Sequence, residues 1–133
     1  MTRIRYYPAP DVERLFGRIV TWLGFTYIDC GRVKCLRSVG SQSRYTMARI
    51  HGLPRIWQQA LEAQPSYILE VISEQYDRLG ADEKEKVLIH EALHIPHGFK
   101  GGFRHHRGNI DQRKVDRLHR LYKEHLRTKD AEG

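Results

Sequence analysis

Three residues in the pattern H-E-x-x-H, His90, Glu91 and His94, have the types and spacing of a metal site that could do chemistry. On a helix, His90 and His94 would lie one turn apart on one face, where both imidazoles could reach a single cation. Glu91 would point about 100° away around the axis, close to a water on the metal without being a ligand. Zinc lowers the pKa of such a water, and a carboxylate can take the proton and pass it to a leaving amine. The pattern therefore predicts the chemistry of a zinc peptidase, with Glu91 as general base.

The neighbouring residues predict the helix that this spacing requires. Asp82 could cap its first turn, and Glu85 three residues later would complete a capping box. Pro96 disfavours helical geometry at Ile95 and so ends the helix there. The remaining positions are apolar nearly all round, which predicts burial: Val87, Leu88, Ile89, Ala92, Leu93 and Ile95. The alternative is a buried helix whose histidines are hydrogen-bonded core residues, although unpaired polar groups are costly in such a place.

A catalytic zinc usually takes three protein ligands and leaves a fourth position for water. The metzincin pattern would need glycine and histidine where His97 and Lys100 stand, so that class is excluded. Glu124 is one candidate for the third ligand. His97 follows Pro96 too closely to return easily to the same metal and could instead line the cleft. His105 and His106 end a glycine-containing segment that could fold back over the site, and we expect only one of them to coordinate.

Composition indicates an ordinary globular chain. Its 133 residues, 40% apolar and 29% charged, predict a single domain over residues 1–133. No apolar run is long enough to span a bilayer, and the first eight residues lack the apolar core of a signal peptide, so we expect a cytoplasmic location. Cys30 and Cys35 are the only cysteines. We interpret them as reduced thiols outside the metal site, with a local disulfide as the alternative.

The net charge of +7 is concentrated late in the chain. Between Lys100 and Lys129 ten residues are Lys or Arg and three are Asp or Glu. Such a segment could attract nucleic acid or an acidic protein. The alternative is a solvated helix face in a basic protein.

Periodicity and turn residues predict a small α+β domain, in which an N-terminal helix and a few-stranded sheet precede the H-E-x-x-H helix and a C-terminal helix. A strand at 66–72 is the candidate to run beside the metal helix and pair with an extended peptide, with a purely structural core strand as the alternative. The other predicted elements are a helix at 8–23 ended by Gly24, an extended segment at 26–38 broken near 29–32, a loop at 39–44, an extended segment at 45–51, a short helix at 55–63, an ambiguous segment at 73–79 and an amphipathic helix at about 109–127. In the helices predicted at 55–63 and 109–127, the residues expected to face inward are Ile56, Trp57, Ala60, Leu61, Val115, Leu118, Leu121, Tyr122 and Leu126.

The H-E-x-x-H segment and the glycine- and histidine-containing segment after it resemble a family of phage-type and archaeal metallopeptidases, zincins distantly similar to SprT-like proteases. The resemblance rests on His90-Glu91-Ala-Leu-His94-Ile-Pro96 and on Gly101-Gly-Phe103-Arg104-His105-His106, with support from 37–41 and 48–57. It implies a zincin fold and a site for one catalytic Zn²⁺. The chemistry of that site leads us to expect a peptide or protein substrate. The resemblance also implies that His106 is the third ligand, with His105 in a variable position.

Three further side chains are candidates to line the cleft and assist at the carbonyl oxygen: His97, His105 and Tyr122. A second hypothesis makes the protein a nucleic-acid-associated metal-binding protein with a basic C-terminal helix. Its metal would be structural, or its peptidase would act only on DNA, by analogy with SprT-like proteases, which act on DNA-bound proteins. A third makes it a catalytically degenerate interaction module. No membrane partner is expected.

Overall fold

The computed structural model describes residues 3–100 and 111–132, of which 130–132 are described by their backbone alone. Within these ranges the chain forms five helices, a four-stranded sheet and a short 3₁₀ turn, which confirms the α+β class. In chain order the elements are β1 (Arg5–Pro8), α1 (Pro10–Trp22), the 3₁₀ turn (Cys30–Arg32), β2 (Val33–Val39), β3 (Ala48–Gly52), α2 (Arg55–Leu61), β4 (Tyr67–Ile72), α3 (Ser73–Tyr76), α4 (Ala81–His94) and α5 (Gln112–Glu132).

The strands are ordered β1-β2-β4-β3 across the sheet. The pair β2–β4 is parallel, whereas β1 and β3 are antiparallel to their neighbours. β4 therefore has a partner on both sides, and five of its six residues are buried. The prediction that the strand at 66–72 offers a peptide-binding edge beside the metal helix is wrong, because both edges of β4 are already paired. Its alternative, a structural core strand, is correct, and the strand that lies at the sheet edge beside α4 is β3.

One face of the sheet carries the hydrophobic core. Side chains alternate between the two faces of a strand, and on β4 the core side chains are Tyr67, Leu69 and Val71, all at most 1% exposed. Helices α1, α4 and α5 pack together on the core, and α4 also packs against β3. The core residues of α4 are Leu88, Ile89, Ala92 and Leu93. The helix with the H-E-x-x-H pattern is thus buried, as predicted, and held by neighbours from three directions.

The ends of α1 and α4 test the helix predictions. Gly24 adopts φ +70° and ends α1, as predicted. α4 ends at His94, and Ile95 is already extended before Pro96. The predicted capping box is wrong, because Gly80 is the N-cap of α4 and no side chain caps it. The Asp82 and Glu85 carboxylates instead contact α5.

Three other predictions differ from the structure. Pro8 belongs to β1 rather than to the first helix, and β1 itself was not predicted. α2 has no buried residue, so Ile56, Trp57 and Leu61 do not face inward but are 77%, 55% and 62% exposed. On α5, Val115 and Tyr122 are buried as predicted, whereas Leu121 is 44% exposed. The ambiguous segment at 73–79 begins with the single turn of α3.

The predicted break near 29–32 is confirmed as the 3₁₀ turn, where Asp29 Oδ1 accepts a hydrogen bond from the Gly31 N–H at 3.0 Å. Cys30 in this turn is exposed and Cys35 in β2 is buried, and both are free thiols. Among the described helices, none combines the length and the apolar composition needed to cross a membrane.

Candidate metal centre

α4 brings His90 and His94 to a common point. Their Nε2 atoms lie 3.2 Å apart, with ring centroids separated by 5.0 Å and planes inclined by 66°. Zinc–nitrogen bonds of about 2.0–2.1 Å in a tetrahedron place two ligand nitrogens roughly 3.3 Å apart. The two imidazoles therefore fit one tetrahedral ion, and their i, i+4 positions on a buried helix are what hold them there.

Glu91 completes the cluster. One ligand atom from each of His90, Glu91 and His94 lies within 4.8 Å of the other two. The Glu91 side chain is largely buried, with 7% of the residue exposed, and this burial raises the pKa of its carboxyl group to about 8. A cation beside it would favour the charged form again. The site thus combines two imidazole donors with a largely buried carboxylate.

The cluster opens into a cleft of about 440 Å³. α4 forms its floor, with Lys86 and Val87 one turn before the histidines. β3 and the two residues before it form one wall over residues 46–50, and Gln112 and Val115 from the start of α5 close another side. The cleft is therefore bounded by a helix, a sheet edge and a second helix.

The wall formed by β3 has main-chain groups that no other described strand pairs with. Its register with β4 contains hydrogen-bonded pairs at Met47–Ile72 and Leu53–Ser66. In an antiparallel ladder such pairs alternate with pairs whose N–H and C=O groups point outward. The groups of Ala48 and Ile50 therefore point away from β4, and no other described strand pairs with β3 on that side. Sequence reasoning missed this edge because it assigned the role to the strand at 66–72.

Other predicted site residues lie elsewhere. His97 packs against Tyr27 with ring centroids 4.4 Å apart and is not among the described residues that line the cleft. Tyr122 is fully buried and packs against Trp22 at 6.1 Å, so it contributes to the core rather than to the cleft. Glu124 is exposed on α5 and is not brought to His90 and His94. His105 and His106 lie outside the described residues.

A second group of potential ligands joins α4 to α5. Glu85 Oε1 lies 2.8 Å from His119 Nε2, and Asp82 lies beside them. Lys123 Nζ is 3.2 Å from Asp82 Oδ1 and 3.6 Å from Glu85 Oε1. Lys123 forms ion pairs with both carboxylates, so we assign the group to interhelical packing rather than to a metal. Sequence reasoning had interpreted both carboxylates as helix caps.

Comparison with known families settles the relationship. The family described as putative phage metallopeptidase matches residues 4–126, which is nearly the whole chain. The chain belongs to this family. Among curated proteins and solved structures, no match was found. Membership in the phage metallopeptidase family agrees with the predicted resemblance, and the cluster of His90, Glu91 and His94 is where the described residues could hold the metal that the family name implies.

Proposed function

We propose that the protein is a zinc-dependent metallopeptidase, with His90 and His94 as metal ligands and Glu91 as general base. The observation that supports this most directly is the convergence of two Nε2 atoms, 3.2 Å apart, beside a buried carboxylate in an open cleft. Hydrogen-bonded core histidines would need no cleft and no adjoining strand edge. The geometry therefore favours a working site over the core-histidine alternative.

Imidazole donors suit zinc, and a third ligand would complete the site. Among the described residues, Glu91 is the only other potential ligand close to both histidines. We propose His106 as the third ligand, on the basis of the family resemblance. A bound zinc ion supplies the Lewis acidity that acidifies water and polarises a carbonyl group.

Glu91 would perform the proton transfers. Glu91 directly follows His90 in the helix, so its carboxylate lies beside the two imidazole ligands without being a ligand itself. From there it can accept the proton of an attacking water and later give it to the leaving amine. Its burial keeps bulk water from competing for the same hydrogen bonds.

The substrate would lie along β3. A peptide in extended conformation could pair with the outward N–H and C=O groups of Ala48 and Ile50 and so become a fifth strand. This pairing would hold a backbone carbonyl between the strand edge and the floor of the cleft, where His90 and His94 lie. Main-chain pairing of this kind selects for an extended, accessible segment more than for a particular sequence.

Metal content tests the ligand set. Elemental mass spectrometry after chelator-free purification should find about one zinc per chain in the wild type and much less in His94→Ala and His106→Ala. His105→Ala is the matched control, since it removes the neighbouring imidazole, and it should keep its zinc. Zinc retained by His106→Ala but lost from His105→Ala would exchange the two roles. No zinc in the wild type, even after zinc is added, would leave the histidines as core residues.

Hydrolysis tests the general base. Glu91→Gln should bind zinc as the wild type does and lose peptide cleavage by a factor of roughly 100 or more. Glu83→Gln on the same helix, which removes an exposed carboxylate at the cleft, is the control and should cleave normally. Equal turnover by Glu91→Gln and the wild type would refute this mechanism.

A further inference from the structure

The exposed side of α5 carries a row of arginines. Val115, His119 and Tyr122 are buried and mark the inner side of the helix. At about 100° per residue, the opposite side holds one continuous exposed stripe, whose members are Arg113, Arg117, Arg120, Glu124 and Arg127. We call the four arginines of this stripe the arginine face. With one glutamate among four arginines, the stripe has a net charge of +3.

Within residues 3–100 and 111–132, these arginines do not tie α5 to another element. None of the four makes a hydrogen bond or salt bridge to another described side chain. The nearby Asp116 attracts Arg120 electrostatically, but its carboxylate accepts from Gln112 Nε2 at 2.9 Å and lies 3.4 Å from Lys86 Nζ. Asp82 is likewise held by Lys123. Asp116 and Asp82 therefore have other cationic or polar partners, and all four arginines of the arginine face are exposed.

The spacing of the arginine face matches a rigid polyanion. Arg113, Arg117 and Arg120 follow one another at three or four residues, about 5 Å along a helix, Arg127 comes two turns later, and the face spans about 21 Å. Duplex DNA presents one negative charge per ~1.7 Å of axis, so this length faces roughly six base pairs. Arginine suits phosphate oxygens because its planar fork donates two parallel hydrogen bonds. A membrane surface would also call for apolar side chains beside the charges, and on the described part of α5 only Leu121 is a large exposed hydrophobe.

We propose that the arginine face of α5 binds the phosphate backbone of duplex DNA without reading its sequence. The cleft and the arginine face lie on different sides of α5. Gln112 and Val115 line the cleft, and the arginine face is on the other side of the helix. DNA bound there would leave the cleft accessible to a polypeptide. The inference stands on charge, spacing and exposure, and does not depend on the proposed peptidase activity.

The test compares two variants that lose the same charge. The first replaces the arginine face (Arg113, Arg117, Arg120 and Arg127→Gln), and the second replaces four exposed cations elsewhere (Arg3, Lys34, Arg44 and Arg55→Gln). Binding of the full chain to a fluorescent random-sequence duplex of about 20 base pairs is followed by anisotropy across a salt series. The arginine-face variant should lose at least roughly 10-fold in affinity at about 0.1 M salt, and its salt slope should fall by up to about 3.6. The second variant should remain within about threefold of the wild type.

Several outcomes would overturn the proposal. These are absence of duplex binding by the wild type, equal weakening in both variants, and preferential binding of vesicles of anionic phospholipid over the duplex. A third variant guards against a folding defect: replacing the same four arginines by lysine keeps the charge and should retain most of the affinity. If the glutamine variant unfolds, the smaller change Arg117→Gln with Arg120→Gln replaces it, and undiminished duplex binding by that folded variant would likewise contradict phosphate recognition by this face.

Discussion

At the scale of single residues, the buried contact between Glu85 and His119 carries a stability prediction. Both residues are less than 10% exposed, and their 2.8 Å contact ties α4 to α5 close to the H-E-x-x-H turns. Glu85→Ala would leave His119 without this acceptor, since Asp82 is 3.9 Å away. We expect a loss of about 1–3 kcal/mol in the free energy of unfolding, measured in urea. Glu83→Ala on the exposed side should change it by less than about 0.5 kcal/mol, and equal losses would contradict the role of the buried contact.

Arg37 predicts a pH dependence. Its guanidinium binds Asp11 and Asp77 at once, with nitrogen–oxygen distances of 2.8 Å to each, and so joins β2 to α1 and to the turn after α3. The hydrogen bond from Arg37 lowers the pKa of Asp11 to about 2, and it also lowers the pKa of Asp77. Because both pKa values are depressed in the folded state, their contribution to stability is present above about pH 4 and is lost as the pH falls toward 2.

The measurement is the difference in free energy of unfolding between the wild type and Arg37→Gln, followed by urea denaturation from about pH 6 to pH 2.5. The wild type should be the more stable above about pH 4, and the difference should shrink as the pH decreases. In a background with Asp11→Asn and Asp77→Asn, replacing Arg37 should give no such pH dependence. A difference that stays constant with pH in the parent background would contradict the assignment of both carboxylates to Arg37.

At the scale of elements, the edge of β3 that no other described strand covers predicts an effect on catalysis that is separable from folding. Ala48→Pro removes an N–H that points away from β4, and proline is tolerated in an edge strand at such a position. The variant should fold and bind zinc, but hydrolyse peptides roughly 10-fold less efficiently, which corresponds to one lost hydrogen bond. Arg49→Pro is the matched comparison, because the N–H of Arg49 pairs with Glu70 and its loss should destabilise the sheet. Undiminished hydrolysis by a folded Ala48→Pro would remove β3 from the substrate site.

The elements with strong local signals could be predicted from the sequence. α4 has an apolar pattern and a proline stop, and its residues 90, 91 and 94 converge because helix geometry alone relates them. β1 gave no such signal, since its four residues are all exposed and it ends in proline. In α2, Ile56, Trp57 and Leu61 have the spacing of a buried stripe, yet nothing described covers them. Periodicity shows which residues share a face, but not whether another element packs on it.

Strand order was the larger obstacle to predicting the site. β4 is the most apolar strand. Its apolar residues made it the clearest strand in the sequence, and the same residues favour a position inside the sheet, between β2 and β3. The strand at the cleft is β3, whose exposed Arg49 and His51 gave a weaker strand signal. Asp82 and Glu85 fit a capping pattern locally, but their partners lie more than thirty residues later on α5. Contacts of this kind depend on tertiary packing and have no counterpart in short-range sequence patterns.

At the scale of the whole molecule, zinc binding should be coupled to global stability. Two of the proposed ligands, His90 and His94, stand on α4, which packs against α1, α5 and β3, so an ion bound only by the folded state stabilises the entire domain. Free zinc at about 100 times its dissociation constant should add roughly 2.7 kcal/mol to the free energy of unfolding. Thermal melts with and without zinc, after chelator treatment, measure this gain.

His94→Ala provides the comparison for this gain. Whatever its own stability, its melting temperature should respond little to zinc, because one of the two imidazoles that define the site is gone. Binding of zinc to the unfolded chain through Cys30 and Cys35 would reduce the gain in both proteins alike, so the difference between the two responses isolates the folded site. An equal rise in both proteins would place the stabilising zinc elsewhere. No rise in melting temperature in either protein would contradict zinc binding by the histidines of α4.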